Sequence, residues 1–267
     1  MDGLAAMLER SGQAWLPVRS GESGARIFRR TDGFAHAKAV PPDRADELAG
    51  ERDRLAWLGG RGIRAPEVVG WRETEHGAWL EMTTIPGVPV AALGGEALLA
   101  AWPIMLEQLA SLHALPVDEC PFDRGLARMA ERAADVVKRQ AVNPDFLPDE
   151  DRAIPAERLL ARIEAELPAR LEQEALDRVV CHGDPCLPNL MIDPATSRCT
   201  GVIDLGRLGR ADRHADLALL LANAGESWTS PEQASRAFDL LSSAPGIGPP
   251  DRERLAFYLR LDPLTWG

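Results

Sequence analysis

The chain is poor in positive charge relative to negative charge. Its 267 residues include 30 lysines and arginines against 41 aspartates and glutamates, which gives a formal net charge of −11. A surface of that sign repels nucleic acid and anionic membranes, and it attracts cationic partners. We therefore expect neither a nucleic-acid partner nor a membrane partner. An acidic surface that serves only solubility is the alternative.

Cysteines and long apolar runs are also scarce. The four cysteines form no C-x-x-C pair, so they indicate no zinc site: Cys120, Cys181, Cys186 and Cys199. We expect free thiols and a location in the reducing cytoplasm. The longest apolar run, residues 217–222, is too short to span a bilayer. The first residues lack the basic start and apolar stretch of a signal peptide.

Neither of the two common glycine-rich phosphate loops is present. The chain contains no G-x-G-x-x-G and no G-x-x-x-x-G-K-[ST] sequence, so the Walker-type route to ATP binding is unsupported. The turn Gly21-Glu22-Ser23-Gly24 is a weak substitute. Phosphate contacts there would come from backbone amides and the Ser23 hydroxyl.

The predicted elements change in character at residues 83–87. Before this point, short strands surround one helix at residues 44–58, and the Asp32-Gly33 pair predicts a tight hairpin. After it, apolar residues at helical spacing dominate. Strands are predicted at 15–18, 25–30, 34–40, 68–71, 78–82, 178–181, 190–193 and 200–203, and later helices at 97–115, 124–139, 154–173, 215–223, 231–241 and 252–261.

Polar side chains stand at the ends of the short strands in the second part. Phosphoryl transfer needs a carboxylate to receive the acceptor's hydroxyl proton, together with oxygen ligands for magnesium. We assign the first role to Asp184 and the metal to Asn189 and Asp204. His182 is expected to fix the loop by hydrogen bonding. Each piece alone also fits an ordinary turn, but their order around a strand–hairpin–strand favours function.

Lys38 lies in a strand of otherwise small and apolar residues. We expect it to point into a cleft and to pair with Glu51 on the following helix, which would hold the ammonium group against nucleotide phosphates. Glu47, one helical turn earlier, is a rival partner. The alternative is that Lys38 is a charge on an edge strand that guards against aggregation.

Together these residues resemble the aminoglycoside O-phosphotransferase family. The similarity covers essentially the whole chain, and it is carried by His182-Gly183-Asp184…Asn189, Ile203-Asp204-Leu205-Gly206-Arg207, Lys38 and Glu51-Arg52-Asp53. The resemblance implies an α+β, two-lobed protein-kinase-like fold, with a small β-rich N-lobe containing one helix and a larger, mainly helical C-lobe. The expected boundaries are 1–82 for the nucleotide lobe, 83–86 for the hinge and 87–267 for the catalytic lobe. ATP and Mg²⁺ are the implied cofactors.

The resemblance also implies roles for other residues. Thr83 and Ile85 match the hinge, whose backbone would bind adenine, and Ser23 matches the nucleotide-loop serine. Asp216 matches an aspartate that braces the catalytic loop. Arg207 would support that loop or the transferred phosphate.

A narrower similarity points to the streptomycin 3''-phosphotransferase branch of the family. It lies in residues 15–19, 50–55, 143–151, 180–189 and 258–267. The implied partner is a cationic aminoglycoside, bound by a monomer, with the 3''-hydroxyl of streptomycin as the expected acceptor. Carboxylates that would pair with its guanidinium groups are Glu226, Asp262, Asp149 and Glu150, with Asp145 and Asp151 beside them. The four acidic residues between positions 145 and 151 are equally compatible with a solvated surface. Trp228 and Trp266 would either stack on the substrate or pack in a core.

Three other functions remain open from the sequence. A metabolic kinase of the same superfamily, acting on choline, homoserine or a fructosamine-like alcohol, would use identical catalytic residues. A catalytically inactive nucleotide-binding regulator is disfavoured because all four residues proposed for catalysis are present. A metal hydrolase would need further ligands, and His113 and His214 have no evident partner in the sequence.

Overall fold

The computed structural model describes residues 13–18 and 24–267, so Ser23 lies outside the described part. Contacts between Cα atoms divide the chain into two compact units. The first comprises Met1–Val88, Met191–Thr196 and Thr200–Gly206, and the second comprises Pro89–Leu190, Ser197–Cys199 and Arg207–Gly267. The lobe boundaries expected from the sequence stay a prediction. The contacts additionally assign two later segments to the first unit.

A five-stranded antiparallel sheet is the main structure of the first unit. Its order is β1–β2–β3–β5–β4, so β3 is the middle strand. The strands are β1 Trp15–Val18, β2 Arg26–Arg30, β3 Ala35–Val40, β4 Val68–Thr74 and β5 Gly77–Thr83, and helix α1 is Ala45–Leu58. One face is covered by a buried cluster of Phe28, Ala37, Ala39 and Trp79. Because side chains alternate along a strand, the half-buried His36 and Lys38 lie on the opposite face of β3.

The hairpin between β2 and β3 forms as its sequence predicts. Gly33 has a φ of 78°, in the left-handed region where a side chain is strained. The carboxylate of Asp32 accepts a hydrogen bond from the Phe34 amide at 2.9 Å, which closes the turn. The hairpin sets the register of β3 and therefore the position of Lys38.

Three short strands, β6 Val88–Pro89, β8 Leu190–Asp193 and β9 Arg198–Val202, form a further sheet in that order. The amide of Val202 donates to the carbonyl of Arg64 at 2.9 Å. This bond joins the segment just before Asp204 to the rest of the first unit.

Helices make up most of the second unit. They are α2 Gly95–His113, α3 Leu126–Lys138, α4 Ala156–Asp177, α5 Arg213–Gly225, α6 Pro231–Ser243 and α7 Arg252–Leu261. Each begins and ends within four residues of its predicted position. Strand β7, Arg178–Cys181, pairs antiparallel with β10, Gly209–Asp212, which was not predicted. None of the helices in residues 13–18 and 24–267 combines the length and the hydropathy that a membrane span requires.

A buried aspartate joins β10 to α5 and α7. The Asp212 carboxylate accepts hydrogen bonds from the backbone amide and Nδ1 of His214, both at 2.9 Å, and from Arg254 Nε and the Tyr258 hydroxyl, both at 3.1 Å. Burial alone would raise the pKa of Asp212, but the hydrogen bonds from His214 and Arg254 hold it below its usual value. The charged form of Asp212 therefore stabilises the second unit.

We expect Asp212→Asn to lower the free energy of unfolding by about 2–3 kcal/mol at neutral pH, because Arg254 would lose one of its carboxylate partners. The folded-state pKa of Asp212 is depressed, so its contribution is present above the unfolded pKa and is lost as the pH falls through the folded pKa. The difference should therefore shrink in acid. Urea unfolding of the variant and of the wild type at several pH values measures this difference in the free energy of unfolding. The exposed Asp239→Asn is the control, and equal midpoints for Asp212→Asn and wild type at neutral pH would contradict the expectation.

Candidate active site

Asp184 lies in the loop that follows β7. Its Oδ1 accepts a hydrogen bond from the Cys186 thiol at 2.9 Å, and its Oδ2 accepts one from Asn189 Nδ2 at 3.2 Å. The same Asn189 nitrogen donates to the backbone carbonyl of Asp184 at 2.9 Å. Burial and the neighbouring Asp184 carboxylate raise the pKa of the Cys186 thiol, so the sulfur is a neutral donor. The structure thus brings two predicted site residues, Asp184 and Asn189, into contact.

The Asp216 carboxylate holds the loop that follows β7. It is fully buried, and it accepts hydrogen bonds from the backbone amides of His182 at 2.7 Å and Gly183 at 2.8 Å. Nε2 of His113 lies 3.0 Å from the same carboxylate. Burial would raise the pKa of Asp216, but the hydrogen bond with His113 and the other contacts hold it below its ordinary value. Nδ1 of His182 in turn accepts a hydrogen bond from the Asp184 amide at 3.2 Å.

Gly183 is required by the close packing of this loop. Its φ is 88°, and a Cβ atom there would lie 2.1 Å from the carbonyl oxygen of Arg207. Its own carbonyl accepts a hydrogen bond from Arg124 Nη2 at 2.9 Å. Burial and the neighbouring Arg207 lower the pKa of Arg124 to about 10, so it still carries its charge at neutral pH. No other residue type fits at position 183 without strain.

Arg207 is bound to the last residues of the described chain. Its Nη2 donates to Asp262 Oδ1 at 2.8 Å and to the Thr265 hydroxyl at 3.0 Å. Its guanidinium lies over the Trp266 ring, 4.3 Å from the centroid. Trp266 Nε1 donates to Asp262 Oδ2 at 2.9 Å. Both oxygens of this predicted substrate carboxylate therefore have partners within the protein.

In the first unit, Lys38 contacts two carboxylates. Its Nζ lies 2.7 and 2.9 Å from the Glu51 oxygens and 2.9 Å from Asp204 Oδ1. Burial alone would lower the pKa of Lys38, but Glu51 and Asp204 raise it above its usual value. The edge-strand alternative is wrong, because β3 is the middle strand of its sheet. Glu47, the rival partner, pairs with Arg44 at 2.9 Å.

The chemistry of Asn189 and Asp204 fits magnesium, which prefers a few hard oxygen ligands. Asn189 uses its amide nitrogen within the loop, so its amide oxygen is the atom suited to a cation. The Asp204 side chain is 42% exposed although it accepts from Lys38. Its backbone has a φ of 60°, a left-handed conformation that aspartate tolerates better than most residues. Metal binding by the two residues stays a prediction.

The predicted hinge follows β5. The Thr83 amide donates to the Glu67 carbonyl at 2.9 Å, and the Thr84 amide donates to the Phe34 carbonyl at 3.0 Å. The Thr84 hydroxyl also lies 2.9 Å from His36 Nδ1. These contacts fix the backbone on the N-terminal side of Ile85.

Four of the remaining candidate substrate carboxylates are exposed: Glu226, Asp145, Asp149 and Glu150. Asp151 is half-buried and pairs with Arg162 at 3.4 Å. Glu226 follows the C-terminal end of α5, and Asp149 forms a surface ion pair with Arg152 at 2.9 Å. Glu150 is also exposed, whereas the nearby Leu147 is buried and anchors this stretch. Trp228 packs against the buried Trp102 with ring centroids 5.4 Å apart, which supports its core interpretation.

Sequence reasoning missed four residues that support the loop: His113, Arg124, Cys186 and Asn223, whose Oδ1 accepts the Leu187 amide at 2.7 Å. It was wrong that His113 and His214 have no partner, since Asp216 and Asp212 pair with them. His113, Cys181 and Asp216 also place potential metal ligands within 4.8 Å of one another. Because Asp216 already accepts two backbone amides, hydrogen bonding accounts for that cluster.

Comparison with known proteins identifies the family of this chain. The family model described as "Phosphotransferase enzyme family" (APH) matches residues 14–258. The streptomycin 3''-kinase of Streptomyces griseus is 52% identical over 256 residues, covering 96% of this chain and 94% of that protein. The aminoglycoside 3'-phosphotransferase of Streptomyces fradiae is 39% identical, covering 93% and 94%.

A solved structure of aminoglycoside phosphotransferase APH(3'')-Id from Streptomyces rimosus, in complex with ADP and streptomycin, is similar to this chain over 100% of both chains, with 44% identity and a TM-score of 0.91. A second solved structure of the same Streptomyces rimosus protein gives a TM-score of 0.93 at 47% identity. The expected α+β, two-lobed protein-kinase-like fold is confirmed. The chain belongs to the aminoglycoside phosphotransferase family.

Proposed function

We propose that this protein transfers the γ-phosphate of ATP to the 3''-hydroxyl of streptomycin and thereby confers resistance to that antibiotic. The observation that carries the proposal is the 52% identity to a streptomycin 3''-kinase along nearly the whole chain, combined with an intact Asp184–Asn189 loop. The similar structure in complex with ADP and streptomycin supports an adenine nucleotide and streptomycin as the ligands.

Asp184 is the proposed catalytic base. One carboxylate oxygen of Asp184 accepts the proton of the acceptor hydroxyl while the hydroxyl oxygen bonds to the γ-phosphorus. The bond between the γ-phosphorus and the β,γ-bridging oxygen breaks, which releases ADP. The loop contacts described above hold Asp184 before substrate arrives, so little reorganisation is needed at the moment of reaction. His182, Asp216 and Arg207 support the loop and touch no reacting atom in this scheme.

Residues of the first unit are proposed to bind the nucleotide. Lys38, held by Glu51, is proposed to bind the α- and β-phosphates, and Ile85 is proposed to bind the nucleobase through its backbone, alongside Thr83. Ser23 remains a proposed phosphate contact outside the described residues. Asn189 and Asp204 would hold Mg²⁺, which supplies positive charge to the phosphate oxygens when bound.

Exposed carboxylates are the proposed binding groups for the antibiotic. Streptomycin carries guanidinium groups, and a carboxylate can pair with a guanidinium through two parallel hydrogen bonds. Glu226 is the preferred candidate because it is exposed at the end of α5, with Asp149 and Glu150 as further candidates. Asp262 binds the substrate only if it exchanges partners, because Arg207 and Trp266 occupy its oxygens.

We also propose that the protein acts as a cytoplasmic monomer. Its four cysteines are free thiols, which suits a reducing compartment where ATP is available. Size-exclusion chromatography with light scattering tests the oligomeric state.

We expect mass spectrometry to find one added phosphate on streptomycin after incubation with the protein, ATP and magnesium. Asp184→Asn should reduce this turnover by at least about 100-fold while leaving ATP binding nearly unchanged, because only proton acceptance is removed. Asp239→Asn, an exposed change on α6, is the control. If the protein phosphorylates choline, homoserine or a fructosamine but not streptomycin, the proposed substrate is wrong and a metabolic kinase is favoured. Substantial turnover by Asp184→Asn would remove Asp184 from its role.

Neutralising Glu226 should weaken the binding of streptomycin more than the binding of ATP. Glu226→Gln keeps the shape of the side chain but loses a charged acceptor, so the KM for streptomycin should rise about tenfold and the KM for ATP should stay within about twofold. Glu232→Gln, an exposed change in the first turn of α6, is the matched control. Steady-state kinetics with each substrate varied measures both constants. A larger effect on ATP than on streptomycin would contradict the assignment.

A further inference from the structure

Cys186 differs from the buried cysteines of this chain in what its thiol contacts. Sγ of Cys181 lies within 4.8 Å of the Asp216 carboxylate. The hydrogen bonds that the thiols of Cys120 and Cys181 donate nevertheless go to backbone carbonyl oxygens, of Phe122 at 3.7 Å and of Asp212 at 3.4 Å. The Cys186 thiol instead donates to Oδ1 of Asp184 at 2.9 Å. It therefore touches the carboxylate that we propose as the base.

The backbone around Cys186 is fixed on its C-terminal side. Its carbonyl accepts the Asn189 amide at 2.9 Å, which closes a short turn over Leu187–Asn189. The next amide, that of Leu187, donates to Asn223 Oδ1 on α5 at 2.7 Å. These bonds fix the backbone of Cys186, so only its side-chain torsion remains to be set when the thiol contacts Asp184.

We propose that Cys186 is a positioning residue for the phosphotransfer reaction. Its thiol holds Oδ1 of Asp184 while Asn189 holds Oδ2, so two donors on different oxygens set the plane of the carboxylate. A carboxylate has about four lone-pair sites, which leaves room for the substrate hydroxyl. This role rests on the proposed function of Asp184.

The choice of sulfur has a chemical consequence. A thiol is a weak hydrogen-bond donor, so it orients Oδ1 without strongly competing for the electron pair that accepts the substrate proton. A serine hydroxyl in its place would be a stronger hydrogen-bond donor, attached to Cβ by a shorter covalent bond. An alanine would leave Oδ1 without this donor and the carboxylate freer to rotate.

Kinetics of Cys186 variants test the role. We expect Cys186→Ala to lower kcat for streptomycin phosphorylation about five- to tenfold, with both KM values within about twofold of wild type, because orientation of the base matters mainly in the transition state. Cys186→Ser should recover kcat to within about threefold of wild type, because it restores a donor. Cys199→Ala, which removes a half-buried thiol on β9, is the matched control and should keep wild-type kinetics. Thermal unfolding of each variant separates positioning from loss of folded protein.

Infrared spectroscopy tests the contact without any substrate. The S–H stretch of Cys186 is assigned by its loss in Cys186→Ala, and it should move to higher frequency in Asp184→Ala, where the acceptor is removed. A band that does not move overturns the proposal whatever the activity. So does a Cys186→Ala variant with wild-type kcat, or a Cys186→Ser variant no better than alanine.

The two proposals fail in different ways. If the wild-type protein does not phosphorylate streptomycin, the proposed function fails, and the positioning role fails with it even where the infrared shift shows the contact. If wild type is active and Cys186→Ala is equally active, only the role of Cys186 fails. A lower kcat with unchanged KM values, rescued by serine, supports both.

Discussion

The hydrogen bonds from the His182 and Gly183 amides to the buried Asp216 carboxylate are the constraint on which the catalytic loop depends. Both amides are removed from water, and a buried donor without an acceptor costs about 1–3 kcal/mol. Asp216 satisfies both at once, and His113 keeps it charged. Arg124 holds the Gly183 carbonyl as well. The backbone is therefore held by hydrogen bonds at the two residues that directly precede Asp184.

The protein uses its charges in two ways. Buried charges are paired within each unit, as in Asp212 with Arg254 and Lys38 with Glu51. Such pairs fix geometry, because breaking one leaves an uncompensated charge. Exposed carboxylates such as Glu226 keep their hydration and can exchange it for a cationic ligand. The net charge of −11 favours the approach of an aminoglycoside for the same reason that it disfavours nucleic acid.

Local patterns in the sequence predicted much of the fold and part of the site. Helices follow apolar spacing, and the Asp32-Gly33 hairpin follows turn chemistry. Strand β10, Gly209–Asp212, was missed because its glycine, arginine, alanine and aspartate include no β-branched or aromatic residue, and because its partner β7 is distant in sequence. The supports of the loop were missed for a related reason, since Arg124 and His113 come from elements far from residues 182–184 in the chain. The family resemblance indicated Asp216 but not its histidine, and burial of the Asp262 carboxylate by Arg207 and Trp266 has no local signal.

Native-state hydrogen exchange of the His182 and Gly183 amides tests most directly whether Asp216 holds the catalytic loop. In the wild-type protein both amides should exchange slowly, as buried and bonded groups do. In Asp216→Asn, where an amide nitrogen can face a backbone donor, their exchange should accelerate at least about tenfold while amides in the middle of α4 keep their protection. Equal protection of the two loop amides in both proteins would contradict the central role of this carboxylate.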